Sequence, residues 1–385
     1  MASQLGMGAF VIFCLHSTAQ ERTVVFRLVI GVAAGVALTL LAAHVHQFDA
    51  LLAAGASIPV VIFAFLAWQS ARSEGAERSD KLDLLAATTI IGAVGPAMVF
   101  FLDLSVKYFN PIYDALYIRI DELFGAQPSA VVAFAFHDVP PLAWLCMGVY
   151  FLLPLAQAFV AALEARDPHP TGELGILPGF IVTALIGYAL YALMPAIGPL
   201  EYLGRSFPML HIGSDYLATR SAIDTNPADL RGAMPSLHIT WATLLFLATR
   251  RMRPSLQLAG AAFLLLTFLA TLGLGMHYLI DLIVAAPLIV LVRALLATDM
   301  PWRARERVSA IVAGVVLLAV WVAVTHAGIN VEAARGFFYA AMAVTLIVPL
   351  LTGLRLERAR GATAARTGPT PVLARRYPQM PSLTQ

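Results

Sequence analysis

The chain alternates long apolar runs with short polar breaks. Runs lie near 24–46, 50–71, 83–104, 138–164, 175–197, 236–249, 256–276, 278–298, 308–327 and 335–353. Most approach the about 20 residues that an α-helix needs to cross a hydrocarbon core of about 30 Å. Inside lipid every backbone N–H needs a partner within its own helix or a closed barrel, so runs of this length predict helices. The expected fold is an all-α, polytopic transmembrane bundle of about ten spans. Between the third and fourth runs, Lys107 to Leu123 has an amphipathic pattern. Tyr108, Phe109, Ile112, Leu116, Ile120 and Leu123 fall on one side, and Asp114, Arg119, Asp121 and Glu122 on the other. That pattern predicts a helix lying in the interface plane or capping the bundle. Leu5 to Leu15 is a short apolar stretch without a basic start, which reads as an interfacial segment and not as a signal peptide.

Composition agrees with the pattern. Of 385 residues 59% are hydrophobic and 12% charged, and the mean hydropathy is +0.79; soluble chains carry roughly 25% charge. A net charge of +2 gives no reason to expect a nucleic-acid partner. Cys14 and Cys146 sit in apolar surroundings and form neither a disulfide framework nor a zinc motif. Gly31 and Gly35 form a small-xxx-small pair, an expected helix contact.

The arginines and lysines orient the layout. Arg72, Arg78 and Lys81 follow the second span and Arg166 the fourth. Arg250, Arg251 and Arg253 follow the sixth, Arg303, Arg305 and Arg307 the eighth, and Arg355, Arg358, Arg360, Arg366, Arg375 and Arg376 the tenth. All fall on one side of a ten-span layout, the expected cytoplasmic side of a cell membrane. The loop from Gly198 to Met234 then lies on the extracytoplasmic side. The tail from Leu354 to Gln385, rich in Arg, Pro, Thr and Ala, is expected to be cytoplasmic and disordered.

The chemistry concentrates between Arg231 and Asp281. Arg231-Gly-Ala-Met-Pro-Ser-Leu-His238 opens this stretch and Gly275-Met-His-Tyr-Leu-Ile-Asp281 closes it, around two apolar runs joined by the basic turn 250–254. A hairpin of two spans returns His238 and His277 to the same side of the membrane. Asp281, four residues after His277, lies on the same helical face and can fix the imidazole tautomer. His277 is then free as a nucleophile and His238 as an acid. Ser236 is a good N-cap, and a helix start is an anion site, so the group acted on is a phosphate. From Ser236 to Thr249 the span has only 14 residues, about 21 Å at ~1.5 Å per residue. A site recessed below the surface, suited to a lipid entering sideways, follows unless the helix begins nearer Leu230.

Met-Pro-Ser-Leu-His (234–238) and Gly-Met-His-Tyr-Leu-Ile-Asp (275–281) resemble the second and third signature motifs of the type 2 phosphatidic acid phosphatase superfamily. More closely, they resemble its inositolphosphotransferase branch, which includes fungal inositol phosphorylceramide synthase. Tyr191-Ala-Leu-Met-Pro-Ala-Ile-Gly-Pro199 is similar to a Pro-x-x-Gly-Pro element of that branch. The resemblance covers roughly residues 85 to 300. It implies that His277 is the phosphohistidine nucleophile, that Asp281 orients it, that His238 is general acid and then base, and that Ser236 helps hold the phosphate. The superfamily places Ser-Arg shortly before the nucleophile where this chain has Ala270 and Thr271, and no first motif of the Lys-x6-Arg-Pro type is present. Arg231, Arg205 and Arg220 are the candidate replacements, Arg231 foremost.

The expected division is 1–82 N-terminal spans, 83–300 a catalytic membrane domain with a six-helix phosphatase-like core, 301–353 C-terminal spans and 354–385 a basic tail. The expected activity is a lipid phosphatase or phosphotransferase, with a lipid phosphate or phospholipid as substrate and water or an alcohol or polyol as acceptor. The branch resemblance favours transfer of an inositol-phosphate-type head group. The mechanism needs no cofactor and no metal. Two other readings stand beside it. Two His and one Asp also suit zinc or iron, although nothing supplies a further ligand at fixed spacing. A lipid or solute transporter with pH-sensing outer histidines would use Asp83 and Asp103 as a relay, but the expected internal repeat is missing. His44, His46, His137, His169, His211 and His326 read as structural histidines.

Overall fold

A computed structural model describes residues 13, 17–42, 47–75, 77–79, 81–82, 84–86, 88–89, 100–102, 106–107, 111–166, 175–213, 217, 231–250 and 252–367. Those residues form an all-α polytopic bundle. Its helices are α1 (Ala19–Ala42), α2 (Gln47–Arg72), α3 (Asp114–Glu122), α4 (Pro128–Asp138), α5 (Pro140–Arg166), α6 (Ile176–Leu193) and α7 (Pro199–Leu203), then α8 (Leu237–Thr249), α9 (Pro254–Gly273), α10 (Leu279–Leu295), α11 (Arg305–His326) and α12 (Arg335–Thr367). Among the described residues six stretches are long and apolar enough to cross a membrane: Gln20–Leu40, Pro140–Ala161, Ile176–Leu193, Pro254–Gly273, Arg305–His326 and Arg335–Ala362. Their outward faces carry large apolar side chains such as Leu38, Trp144, Leu258, Leu265, Val312 and Leu350, all exposed. In water so much apolar surface would drive association; against lipid it is matched. Most of the expected third span, with Asp83 and Asp103, lies outside the described residues, as do Cys14, His44, His46 and His169. Of the segment Leu5 to Leu15 only Phe13 is described; it packs edge-on against Phe65 of α2.

The main core gathers α6, α8, α10 and α11, with Phe180, Tyr188, Trp241, Val284, Leu288, Leu291 and Trp321 among its buried members. Helix α10 is the most enclosed, because its neighbours α8, α11 and α12 surround it. It begins at the histidine end of the bundle. At its far end the buried Arg307 donates from Nε to the Ala294 carbonyl (2.9 Å), and from its two terminal nitrogens to Met300 (2.6 Å) and Leu295 (3.0 Å). The Ala294 and Leu295 carbonyls belong to the last turn of α10, whose acceptors lack a partner within the helix. The guanidinium also lies 3.5 Å over the Trp302 ring. Arg307 was counted as a topology charge, yet its fork caps a helix.

Two expectations change here. The tail does not lose structure at Leu354: α12 continues to Thr367, because its charges find partners on the bundle. Arg360 pairs with Asp299 at 2.9 Å, Glu357 with Arg293 at 2.7 Å, and Leu356 is buried. Residues 368–385 lie outside the described residues. The amphipathic stretch condenses to the short helix α3, and its acids do not share one wet face. Asp114 and Asp121 are fully buried, because backbone N–H groups of other segments meet them there. Tyr108 and Phe109 lie outside the described residues.

Candidate active site

Three loops converge at one end of the bundle. The first is Met194–Gly198 after α6, the second 231–236 before α8, and the third 274–278 between α9 and α10. Backbone bonds stitch them together: Ala233 N–H to the Ala196 carbonyl (3.0 Å), Leu200 N–H to Gly275 (2.8 Å) and Ser236 N–H to Asp281 (3.1 Å). Gly198 has φ 95° and ψ 162°, a region open essentially to glycine alone. A Cβ there would also sit 2.6 Å from the Met276 carbonyl oxygen. Gly275, at φ 67°, would place one 2.8 Å from the Leu200 side chain. The Pro-Ala-Ile-Gly-Pro element (195–199) thus serves as the wall against which the histidine loop packs.

His238 and His277 stand at the starts of α8 and α10, with ring centroids 6.1 Å apart. His277 is 2% exposed and Asp281 0%. The His277 Nδ1 lies 2.8 Å from the Ala233 carbonyl and 3.4 Å from Asp281 Oδ2. A carbonyl can only accept, so Nδ1 carries the proton and Nε2 presents its lone pair. Oδ2 of Asp281 also accepts the Tyr278 N–H at 2.8 Å, which caps α10. The other carboxylate oxygen, Oδ1, is buried without a hydrogen-bond partner among the described residues. Asp281 therefore lies beside His277 and closes the helix start, while the nearer acceptor is main chain.

His238 is half-buried and stacks on Tyr150 of α5, with centroids 3.9 Å apart and planes 13° apart. Tyr150 lies ten residues into α5 from Pro140, about 15 Å along the axis at ~1.5 Å per residue. Trp241 meets the same imidazole edge-on at 6.1 Å. Neither aromatic was among the residues singled out in the sequence. Helix α8 begins at Leu237, and Ser236, fully buried, accepts the Ile239 N–H at 3.4 Å. Residues 231–236 are not helical, so the helix stays short, 13 residues from Leu237 to Thr249.

The candidate cations divide. Arg231 is buried, two residues before the carbonyl that holds His277. Arg205 is exposed on the turn Gly204–Ser206, two residues before Phe207, whose ring lies against Gly275. Arg220 lies outside the described residues. Among the described residues no three of His, Cys, Asp and Glu gather as a group able to hold a metal ion. His326 is a structural histidine: its ring nitrogens lie 2.8 Å from the Tyr113 hydroxyl and 2.8 Å from the Leu193 carbonyl.

Residues 116–295 match the family model of the PAP2 superfamily. This segment is similar to the type 2 phosphatidic acid phosphatases. The matched segment contains both histidines, Asp281, Ser236 and the 195–199 wall. A PAP2-type match supports a phosphatase or phosphotransferase acting on lipid phosphates at a membrane. No curated protein and no solved structure matches the chain.

Proposed function

We propose that the protein is a membrane-embedded phosphatase or phosphotransferase that works through a phosphohistidine on His277. The juxtaposition of His238 and His277, 6.1 Å apart at two helix starts inside the PAP2-like segment, carries this reading. His277 Nε2 attacks phosphorus while the bond from phosphorus to the leaving oxygen breaks. His238 gives its proton to that oxygen. In the second step His238 takes a proton from the acceptor hydroxyl, the acceptor oxygen attacks phosphorus, and the bond from phosphorus to Nε2 breaks. Asp281 offsets the positive charge that develops on the His277 ring. Water as acceptor yields free phosphate; an alcohol yields a new phosphoester. The motifs near His238 and His277 favour transfer of an inositol-phosphate-type head group.

The recessed start of α8 fits a lipid donor whose tails stay in the membrane while its phosphate meets the histidines. Ser236 and the N–H groups beside it, with Arg231, are the proposed phosphate cradle, and Arg205 and Arg220 are further candidates. The basic residues at the opposite end of the bundle support a site on the extracytoplasmic side of the cell membrane and a tail in the cytoplasm. In this reading 83–300 is the catalytic unit, flanked by spans on both sides.

Purified wild type and His277→Ala in lipid micelles, given a lipid phosphate or phospholipid with and without a polyol acceptor and with chelator, test the reading. Phosphate release or a new phosphodiester lost only in His277→Ala supports it. Turnover that survives His277→Ala, or that chelator abolishes, counts against it.

A further inference from the structure

Two buried carboxylates outside the signature motifs hold both sides of His277. Asp114 and Asp121 are seven residues apart on one face of α3, and each is 0% exposed. Asp121 Oδ2 accepts the Leu279 N–H at 2.7 Å and its Oδ1 accepts the Ile280 N–H at 3.0 Å. Those are the first two N–H groups of α10, which the helix itself leaves unpaired. Asp114 Oδ1 accepts the Tyr278 hydroxyl at 2.8 Å and the Gly198 N–H at 2.9 Å, and both its oxygens lie 3.1 Å from the Ile197 N–H.

These contacts converge on one residue. Tyr278 follows His277 directly, Leu279 and Ile280 come next, and Gly198 presses on the carbonyl of Met276, which precedes it. The platform is itself braced from behind by the C-terminal helices. Tyr117 meets Thr325 (3.1 Å), Tyr113 meets His326, and Tyr339 donates to the Leu123 carbonyl (2.6 Å). A carboxylate buried this completely is costly unless its lone pairs are filled, and here they are filled by Tyr278, Leu279 and Ile280 next to His277 and by Ile197 and Gly198 of the loop packed against it.

We propose that Asp114 and Asp121 are positioning residues that fix His277 for in-line attack, Asp114 acting through the Tyr278 hydroxyl and the Gly198 amide. Neither carboxylate touches the phosphate. They act by removing freedom from the turn, so their loss affects the reacting geometry and not substrate capture. The inference rests on His277 being the nucleophile.

Tyr278→Phe, Asp114→Asn, Asp121→Asn and the double variant Tyr278→Phe/Asp114→Asn are compared with wild type and His277→Ala for kcat and KM on one lipid phosphate. Misplacing a reacting group by about 1 Å costs up to about 100-fold. Each single variant is expected to lower kcat at least about tenfold with KM changed less than about twofold. The double variant loses no more than the worse single change, because the hydroxyl and the carboxylate act as one unit. Tyr278→Phe removes one oxygen atom, so it keeps the test open if an Asp114 variant does not fold. Wild-type kcat in Tyr278→Phe and Asp114→Asn, while His277→Ala is dead, overturns the clamp and leaves the phosphohistidine intact. A raised KM with unchanged kcat also overturns it. Turnover that survives His277→Ala overturns both.

Discussion

The Ala233 carbonyl lies 2.8 Å from Nδ1 of His277, nearer than the Asp281 carboxylate at 3.4 Å. The tautomer of the proposed nucleophile is thus held by a main-chain atom that side-chain substitution does not remove. Where a carboxylate alone sets the tautomer, its amide replacement costs about 10⁴-fold in turnover. Asp281→Asn is therefore expected to cost less, about 10- to 100-fold, through loss of charge beside the imidazolium. Steady-state kcat measures it. A loss as large as that of His277→Ala would mean that Asp281 controls the tautomer after all.

Gly198 gives a second expectation. Its backbone conformation excludes a side chain, and a Cβ would strike the Met276 carbonyl one residue before His277. Gly198→Ala should destabilise the fold by about 1–3 kcal/mol and lower kcat as the turn moves. Thermal unfolding in detergent, read together with turnover, checks both.

At the other end of the bundle the expected effect is on stability alone. Arg307→Met removes three donors from the carbonyls of Ala294, Leu295 and Met300. Leaving a buried acceptor open costs about 1–3 kcal/mol; the Ala294 carbonyl keeps the Ala297 N–H at 3.4 Å. The unfolding temperature should fall, while kcat per folded molecule stays within about twofold of wild type, since the change lies a full helix away from the histidines.

Asp114 predicts a pH dependence of stability. Burial raises its carboxyl from the ordinary 3.8 to about 7, against the opposing pull of the Tyr278 hydroxyl and the Gly198 and Ile197 amides; Asp281 nearby raises it further. The folded state then binds a proton that the unfolded state has already released. Its contribution to stability is present below about pH 4 and declines as pH rises to about 7. Asp121 is also raised, chiefly by burial, and contributes in the same direction. In Asp114→Asn the difference from wild type in unfolding temperature should shrink or change sign across pH 4 to 7. A parallel pair of curves would contradict the assignment.

What the sequence disclosed and what it concealed follow from range and atom type. Spans were legible because an apolar run of the right length has few alternatives in a chain with so little charge. The helix start at Ser236 and the pairing of His238 with His277 were legible because a hairpin of two spans must return its ends to one side. Ala233 was not legible: its role belongs to a carbonyl that every residue possesses. Asp114 and Asp121 were placed on a wet stripe by a pattern that knows only the helix they sit on, whereas their partners lie more than 80 residues away. Tyr150 looked like one aromatic among many, since its stacking on His238 depends on the depth at which α5 and α8 meet. Arg307 and Arg360 are legible in the sequence only as charges, and their geometry adds helix capping and an ion pair.

The most direct test of the central claim is to trap the intermediate. Wild-type protein given a donor labelled at phosphorus and quenched during turnover should carry label on the peptide containing His277. The label should be lost in acid and retained in alkali, as a phosphoramidate requires, and should be absent from His277→Ala. Turnover without label on that peptide, or label that persists in His277→Ala, would contradict the account.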